Sequence, residues 1–276
     1  LLSLDKSSAC HWGNGDNNQH IHDDFQHPFP MTAKGGHIHI GTSGWSYDHW
    51  KGPFYPQALP SDQMLEHYAQ HFRSVEINSS FYRLPEKKIL RHWYDSTPND
   101  FLFTAKASRY ITHMKKLKDP LEGVPAFLER IGLLKDKLGP VLFQLPPRWH
   151  FNVERLGAFL DSLGNGFRYA FEFRDHSWLN REAFELLTRH NAAFCIYELE
   201  GFSTAEVITA DFIYVRLHGP DDAYQGSYSH KALSTWAETF TKWVLQGKQV
   251  YCYFDNDQLG YAAKNAGLLQ KILAQQ

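Results

Sequence analysis

The stretch Phe171-Glu172-Phe173-Arg174-Asp175-His176-Ser177-Trp178 decides how the rest of the chain is read. Aromatic rings at 171 and 173 alternate with a carboxylate and a guanidinium at 172 and 174. An extended strand therefore puts rings on one face and charges on the other. A helix would scatter these groups around its circumference. A strand of a closed parallel barrel has use for both faces, because the rings pack under helices and the charges enter the barrel mouth.

Working outward, β-type runs fall at 37–43, 74–78, 101–106, 140–145, 168–174, 193–197, 212–217 and 250–255. Helical stretches lie between them at 61–72, 86–95, 122–137, 153–163, 180–190 and 231–246, and 261–274 closes the chain. The interval 199–209 is short and poor in helix signal. Parallel neighbours require long crossovers, so this alternation predicts an α/β fold, a single-domain (β/α)8 TIM-like barrel over 37–276. A doubly wound open sheet is the competing arrangement. No G-x-G-x-x-G follows the first strand and no P-loop occurs, so nothing supports it. Residues 1–36 are polar, His-rich and without a period of two or 3.6, which predicts a disordered or non-core N-terminal extension. Met31 is a candidate internal start within it, and His20, His22, Asp23 and Asp24 read as a solvated tail rather than a metal site.

The length of 276 residues fits a single barrel of about 250 residues. Net charge is -2, which gives no global reason for tight binding to nucleic acid or anionic membrane. Of the cysteines, Cys10, Cys195 and Cys252, none forms a CxxC pair; they read as buried thiols of a reducing compartment. No apolar run reaches the ~20 residues of a membrane span and no signal-peptide pattern opens the chain, so a cytoplasmic protein is expected.

In such a barrel the C-terminal strand ends carry function. Alternation along each strand places Ser43, Glu76, Asn78, Lys106, Gln144, Glu172, Arg174, Arg216, His218 and Asp255 there, opposite the apolar face. The three acids and three bases among them balance, and a structural network of paired charges is one reading of that balance. The loops favour a ligand site, since Trp45, Tyr47, Trp50, Tyr82, Tyr110, Trp149, Trp178, Tyr224 and Tyr228 follow the strand ends. Rings around a charged floor suit a ligand with a flat or sugar face and an anionic part.

Seven segments carry a family resemblance: Gly41-Thr42-Ser43-Gly44-Trp45-Ser46-Tyr47, Val75-Glu76-Ile77-Asn78-Ser79-Ser80-Phe81-Tyr82, Phe103-Thr104-Ala105-Lys106, Phe143-Gln144-Leu145-Pro146-Pro147, Phe171-Glu172-Phe173-Arg174 with Ser177-Trp178, Arg216-Leu217-His218-Gly219, and Tyr253-Phe254-Asp255-Asn256. Together, in register from about residue 38 to the C-terminus, they resemble the YecE-like family of domains of unknown function. The resemblance implies a TIM-barrel-like fold related to the divalent-metal barrels that include xylose isomerase and endonuclease IV, and no established activity. The chain departs from the family in its N-terminal extension and in Asp255, where the family more often has Asn. That departure counts against a metal-binding duty for Asp255.

A metal site drawn from Glu76, Glu172, His176, His218, Asp255 and Asp257 would share its space with Lys106, Arg174 and Arg216, which repel a cation. Neither a metal nor any other cofactor is assigned from the sequence, and neither is an oligomeric state. His37-x-His39 lies at the start of its strand, at the end of the barrel associated with stability. His67 and His71 lack the Glu of H-E-x-x-H and read as a solvated or packing face. A glycosidase pair is missing from the ends of strands four and seven, where Gln144 and Arg216 stand. No G-x-S-x-G elbow occurs, and Cys195 lies inside an apolar run. Burial could turn Lys106 into a Schiff-base amine, but pairing with Glu172 and Asp255 is expected to hold it charged.

What remains is an enzyme binding an anionic, phosphorylated or nucleotide-like small molecule. Lys106, Arg174 and Arg216 form its cationic floor, with Asn78, Gln144, Trp45, Tyr47, Tyr82 and Trp178 as further contacts. Glu172, His218, Glu76 and Asp255 are the candidates for acid–base or hydrolytic chemistry. A ligand-binding module without turnover is the alternative. An endonuclease-like nucleic-acid repair protein is a third, disfavoured by the near-neutral charge.

Overall fold

The computed structural model describes residues 36–276. The expectations for the N-terminal extension, Met31 and Cys10 fall outside the described residues. The predicted strands all form: β1 (Ile38–Thr42), β2 (Ser74–Ile77), β3 (Leu102–Lys106), β4 (Leu138–Leu145), β5 (Tyr169–Phe173), β6 (Ala193–Leu199), β8 (Phe212–Leu217) and β9 (Gln249–Phe254). They pair in parallel in the order β1-β9-β8-β6-β5-β4-β3-β2. The ring is closed between β1 and β2 by the single bridge Ser43–Glu76, which makes a nearly closed, all-parallel TIM-like barrel. A short strand, β7 (Phe202–Ser203), turns back antiparallel on β6, in the interval where no helix was expected.

Helices α1 (Met64–His71), α3 (Lys87–Asp95), α4 (Pro120–Ile131), α5 (Val153–Ser162), α6 (Arg181–Arg189), α7 (His230–Leu245) and α8 (Tyr261–Leu273) supply the crossovers, with a one-turn α2 (Ser79–Tyr82) after β2. The stretch expected as one helix over 122–137 is α4 followed by a 3-10 segment, Gly132–Lys137. Within that segment Lys135, with φ of 49°, departs from any helical conformation. Starts are fixed locally: the side chains of Asn152, Asn180 and Ser229 accept from the backbone N–H of Arg155, Ala183 and Ala232, capping α5, α6 and α7.

Alternation along the strands separates two packed regions. Val75, Phe103, Val141, Phe143, Phe171, Phe173, Ile213 and Val215 face the helices in the large outer core. Leu142, Ala170, Cys195, Tyr214, Tyr251 and Tyr253 fill the barrel interior. The interior needs small residues opposite large ones. Ser74 leaves room for Tyr253, their hydroxyls 2.5 Å apart, and Thr104 sits 3.1 Å from the Tyr214 hydroxyl. Gly41 of β1 lies so close to β2 that an added Cβ would stand 2.0 Å from the Ser74 carbonyl oxygen. Gly41→Ala is therefore expected to pry the β1–β2 closure apart and lose roughly 1–3 kcal/mol, the range for overpacking a tight core. A thermal melt unchanged from wild type would show that the seam tolerates the extra atom.

His37 and His39 stack at the lower end of the barrel, His39 against Tyr251 with ring centroids 4.7 Å apart. Burial, with the charges of His37 and Arg168, pushes His39 down to about 4. His67 and His71 pack edge-on against Phe54, as a packing face should.

Candidate functional site

Above the interior tyrosines the inward positions become charged. Arg216, fully buried on β8, is their centre. Its Nη2 donates to Glu76 Oε1 at 2.8 Å, to Asp255 Oδ2 at 2.9 Å and to Ser43 Oγ at 3.0 Å, and its Nη1 donates to Glu172 Oε2 at 2.8 Å. One guanidinium thus binds carboxylates from β2, from β5 and from just beyond β9. Tyr214 donates to the other oxygen of Glu76 at 2.6 Å, and Ser43 donates to Glu76 as well. Glu172 also accepts from Gln144 Nε2 at 3.2 Å and from Arg174 Nε.

Arg174 Nη2 lies 3.0 Å from His218 Nε2. A guanidinium can only donate, so Nε2 accepts, and the proton of His218 resides on Nδ1, which donates to Asp255 Oδ2 at 3.0 Å. Burial alone would raise the carboxyl of Asp255, but the Arg216 charge and the His218 hydrogen bond outweigh it and hold the group at about 2. Glu172 is likewise buried. Arg174 and Arg216 overcome its desolvation and keep it well below the usual carboxylate range.

This geometry corrects several expectations. Arg174 and Arg216 do not present a cationic floor to a ligand; both are bound to carboxylates, because low-dielectric burial rewards pairing over waiting for a ligand. Glu172, Glu76 and His218 are fully buried within that network, so they position other groups rather than face the mouth. Gln144 holds Glu172. Trp178 is core and not rim: it packs among Trp149, Phe151 and Phe173 and donates from Nε1 to the Trp149 carbonyl. Trp50 and Tyr228 are core for the same reason, their large rings being sealed beneath the loops.

A cleft of about 640 Å³ opens beside the network. Trp45, Tyr47, Asn78, Tyr82, Lys106 and Asp255 line it, joined by Trp93, Tyr224 and Asp257. Trp93 comes from α3, where helical spacing gave no reason to single it out, and it meets Trp45 edge-on at 4.9 Å. Tyr224 reaches in from the long loop after β8, and its ring stands edge-on to His218 at 5.4 Å. Tyr82 is 72% exposed at the rim. Burial and the neighbouring Asp255 push the carboxyl of Asp257 up.

Lys106 is the exception in this balanced site. It ends β3, is 8% exposed and lines the cleft. Among the described residues its Nζ has no carboxylate at ion-pair distance; it lies over the Phe81 ring, 4.6 Å from the centroid. Burial first, and the Arg216 charge second, lower it from 10.5 to about 8 in spite of Asp255, Glu172 and Glu76. The expected pairing of Lys106 does not form, since Arg216 and Arg174 already take those carboxylates. The contrast with Lys137 is direct: that buried ammonium donates to the Thr97 carbonyl at 2.7 Å and to Thr97 Oγ1 at 3.2 Å.

A divalent metal does not fit here. The Arg216 guanidinium occupies the point on which Glu76, Glu172 and Asp255 converge. Among the described residues no group of three or more His, Cys, Asp or Glu is arranged to hold a metal ion. Cys195 and Cys252 are buried thiols, pushed up by desolvation. No helix among the described residues is long and apolar enough to cross a membrane.

Comparison with known proteins agrees with the fold. The family described as "Protein of unknown function DUF72" matches residues 39–276. The UPF0759 protein YunF of Bacillus subtilis is 28% identical over 272 residues, covering 86% of this chain and 94% of its own. The UPF0759 protein YecE of Escherichia coli K12 is 34% identical over 141 residues, half of this chain and 48% of its own. A DUF72 family protein from Thermotoga maritima, solved by crystallography, superposes with a TM-score of 0.79 at 31% identity, covering 86% of this chain and 99% of that one.

Proposed function

The chain belongs to the DUF72 family of proteins of unknown function, which also contains the YecE and YunF proteins, and on that footing we propose that its barrel mouth is an enzyme active site for a small anionic molecule. The observation that carries this reading is Lys106, a buried ammonium that lines a ring-walled cleft and has no carboxylate at ion-pair distance among the described residues. A buried charge left unpaired costs stability, so a protein that keeps one is using it. A phosphate or carboxylate of the ligand completes the pair, while Trp45, Tyr47, Tyr82 and Tyr224 receive a flat or sugar face.

Asp255 and Asp257 line the same cleft with their pKa values pushed in opposite directions, Asp255 down and Asp257 up. Asp257 is then the candidate proton carrier, and Lys106, as the ammonium, holds the ligand's anionic group. Glu172, Glu76, Arg174, Arg216 and His218 are positioning residues: they fix Asp255 and set the field around Lys106.

Trp45 and Trp93 make binding measurable by intrinsic fluorescence. Pyruvate, inorganic phosphate and a nucleoside monophosphate serve as probes. At least one is expected to quench saturably at neutral pH, with affinity falling as pH rises through about 8 and the Lys106 charge disappears. Lys106→Met is expected to weaken that binding about tenfold or more, the worth of one charge-assisted hydrogen bond, and Lys106→Arg to retain much of it. Equal affinity in wild type and Lys106→Met would defeat the proposal.

A further inference from the structure

We infer that Lys106 is a covalent nucleophile, and that the ligand class of the mouth is a carbonyl compound bearing an adjacent anionic group, such as a 2-oxo acid. The inference rests on the reading of the mouth as an active site and adds to it the bond that forms.

An amine attacks a carbonyl only from its neutral form, so an imine-forming lysine needs three things: access to the ligand, freedom from carboxylate partners, and surroundings that release its proton near neutral pH. Lys106 has access through the cleft wall it shares with Asn78 and Asp255. It has freedom because Arg216 and Arg174 monopolise Glu76, Glu172 and Asp255. The surroundings are the Phe81 ring against its Nζ and the Arg216 guanidinium beyond. An apolar face and a second cation together are what activate a lysine of this kind. The network that looks like a structural plug thereby acquires a chemical task, since it fixes a cation near an amine while denying that amine a counter-ion.

The step balances within the site. The ammonium first gives up one proton, for which Asp257 in the same cleft is the carrier. The nitrogen lone pair then bonds to the carbonyl carbon, the carbon–oxygen π bond breaks, and the oxygen takes a proton from the now cationic nitrogen to give a neutral carbinolamine. The carrier returns its proton to that hydroxyl, water leaves, and the nitrogen forms the double bond of a protonated imine. Net, ammonium plus carbonyl becomes iminium plus water. The positive charge, given up in the amine and carbinolamine, is restored on the nitrogen of the iminium, where it again faces the ligand's anionic group.

The test is borohydride trapping with pyruvate as probe, read by intact mass and peptide mapping, with lactate as the carbonyl-free control of equal charge. Wild type is expected to give a single reduced adduct on Lys106, formed faster as pH rises towards 8, and lactate none. Lys106→Met and Lys106→Arg are both expected to lose the adduct. The arginine variant, which keeps the charge, is expected still to bind lactate by fluorescence. Adducts scattered over surface lysines, equal in wild type and both variants, overturn the inference. If wild type binds lactate in that case and Lys106→Met does not, the anion site survives and only the covalent step is lost. If neither pyruvate nor lactate perturbs wild type and no Lys106 adduct forms, this ligand class is wrong.

Discussion

Replacing Arg216 with Met is expected to cost the protein roughly 3–5 kcal/mol and to reverse the way its stability responds to acid. The guanidinium is fully buried and holds Glu76, Glu172 and Asp255 at 2.8 to 2.9 Å. Without it, three carboxylates converge in a low-dielectric space with only Arg174 and Lys106 left nearby, and burial then drives them to take up protons. In wild type two of these carboxyls are depressed: Asp255 is held at about 2 and Glu172 well below its usual range. Their stabilisation is therefore complete above about pH 4 and drains away as pH falls towards 2. In Arg216→Met the folded-state values lie above the unfolded ones. Its stability is greatest in mild acid and declines as pH rises through the raised values. Denaturant melts across pH 3–8 distinguish the two slopes. A variant as stable as wild type at pH 7 would mean that the carboxylates relax to water without Arg216.

Lys106→Met is expected to move stability the other way, raising it by roughly 2–3 kcal/mol at pH 7 while weakening ligand binding about tenfold or more. Lys106 falls from 10.5 to about 8 in the folded state. Between those values the unfolded chain binds the proton and the folded chain does not, so wild-type stability climbs as pH rises from about 8 to 10.5. Below 8 the penalty of a buried, unpaired ammonium is present in full. Methionine fills similar space without that charge, and its advantage should shrink as pH climbs past 8. In a chain of this size the gain corresponds to a melting temperature higher by roughly 5–10 °C. A group that lowers stability and faces a cleft is retained for function. Should Lys106→Met instead destabilise the fold, Lys106 would be a structural member of the polar network and the active-site reading would fall with it.

The two substitutions probe opposite kinds of buried charge. Arg216 is paired through both terminal nitrogens with three carboxylates, and its removal strands them. Lys106 has none among the described residues, and its removal relieves the fold. Both side chains point inward from strand ends, and alternation of their strands, FIYVRL and LFTAK, places them there equally well.

What the sequence determined is local and periodic. A period of two along Phe171-Glu172-Phe173-Arg174, with similar runs between helical stretches, specifies strands with one face for helices and one for the interior, and parallel pairing follows from crossover length. Each barrel strand and each major crossover helix was legible that way, as was the ring of polar residues at the strand ends. What only the tertiary structure decided is which polar residues face one another. Arg216 meets Glu76 across 140 residues and Glu172 across 44. Those pairings are set by strand order and by the closure at Gly41, which no short window of sequence contains. The balance of three acids and three bases was visible from the start, but whether the third base found a partner was not. Two guanidiniums, each presenting several donors in a fixed plane, saturate the carboxylates first, so the more compact ammonium of Lys106 is left facing the cleft.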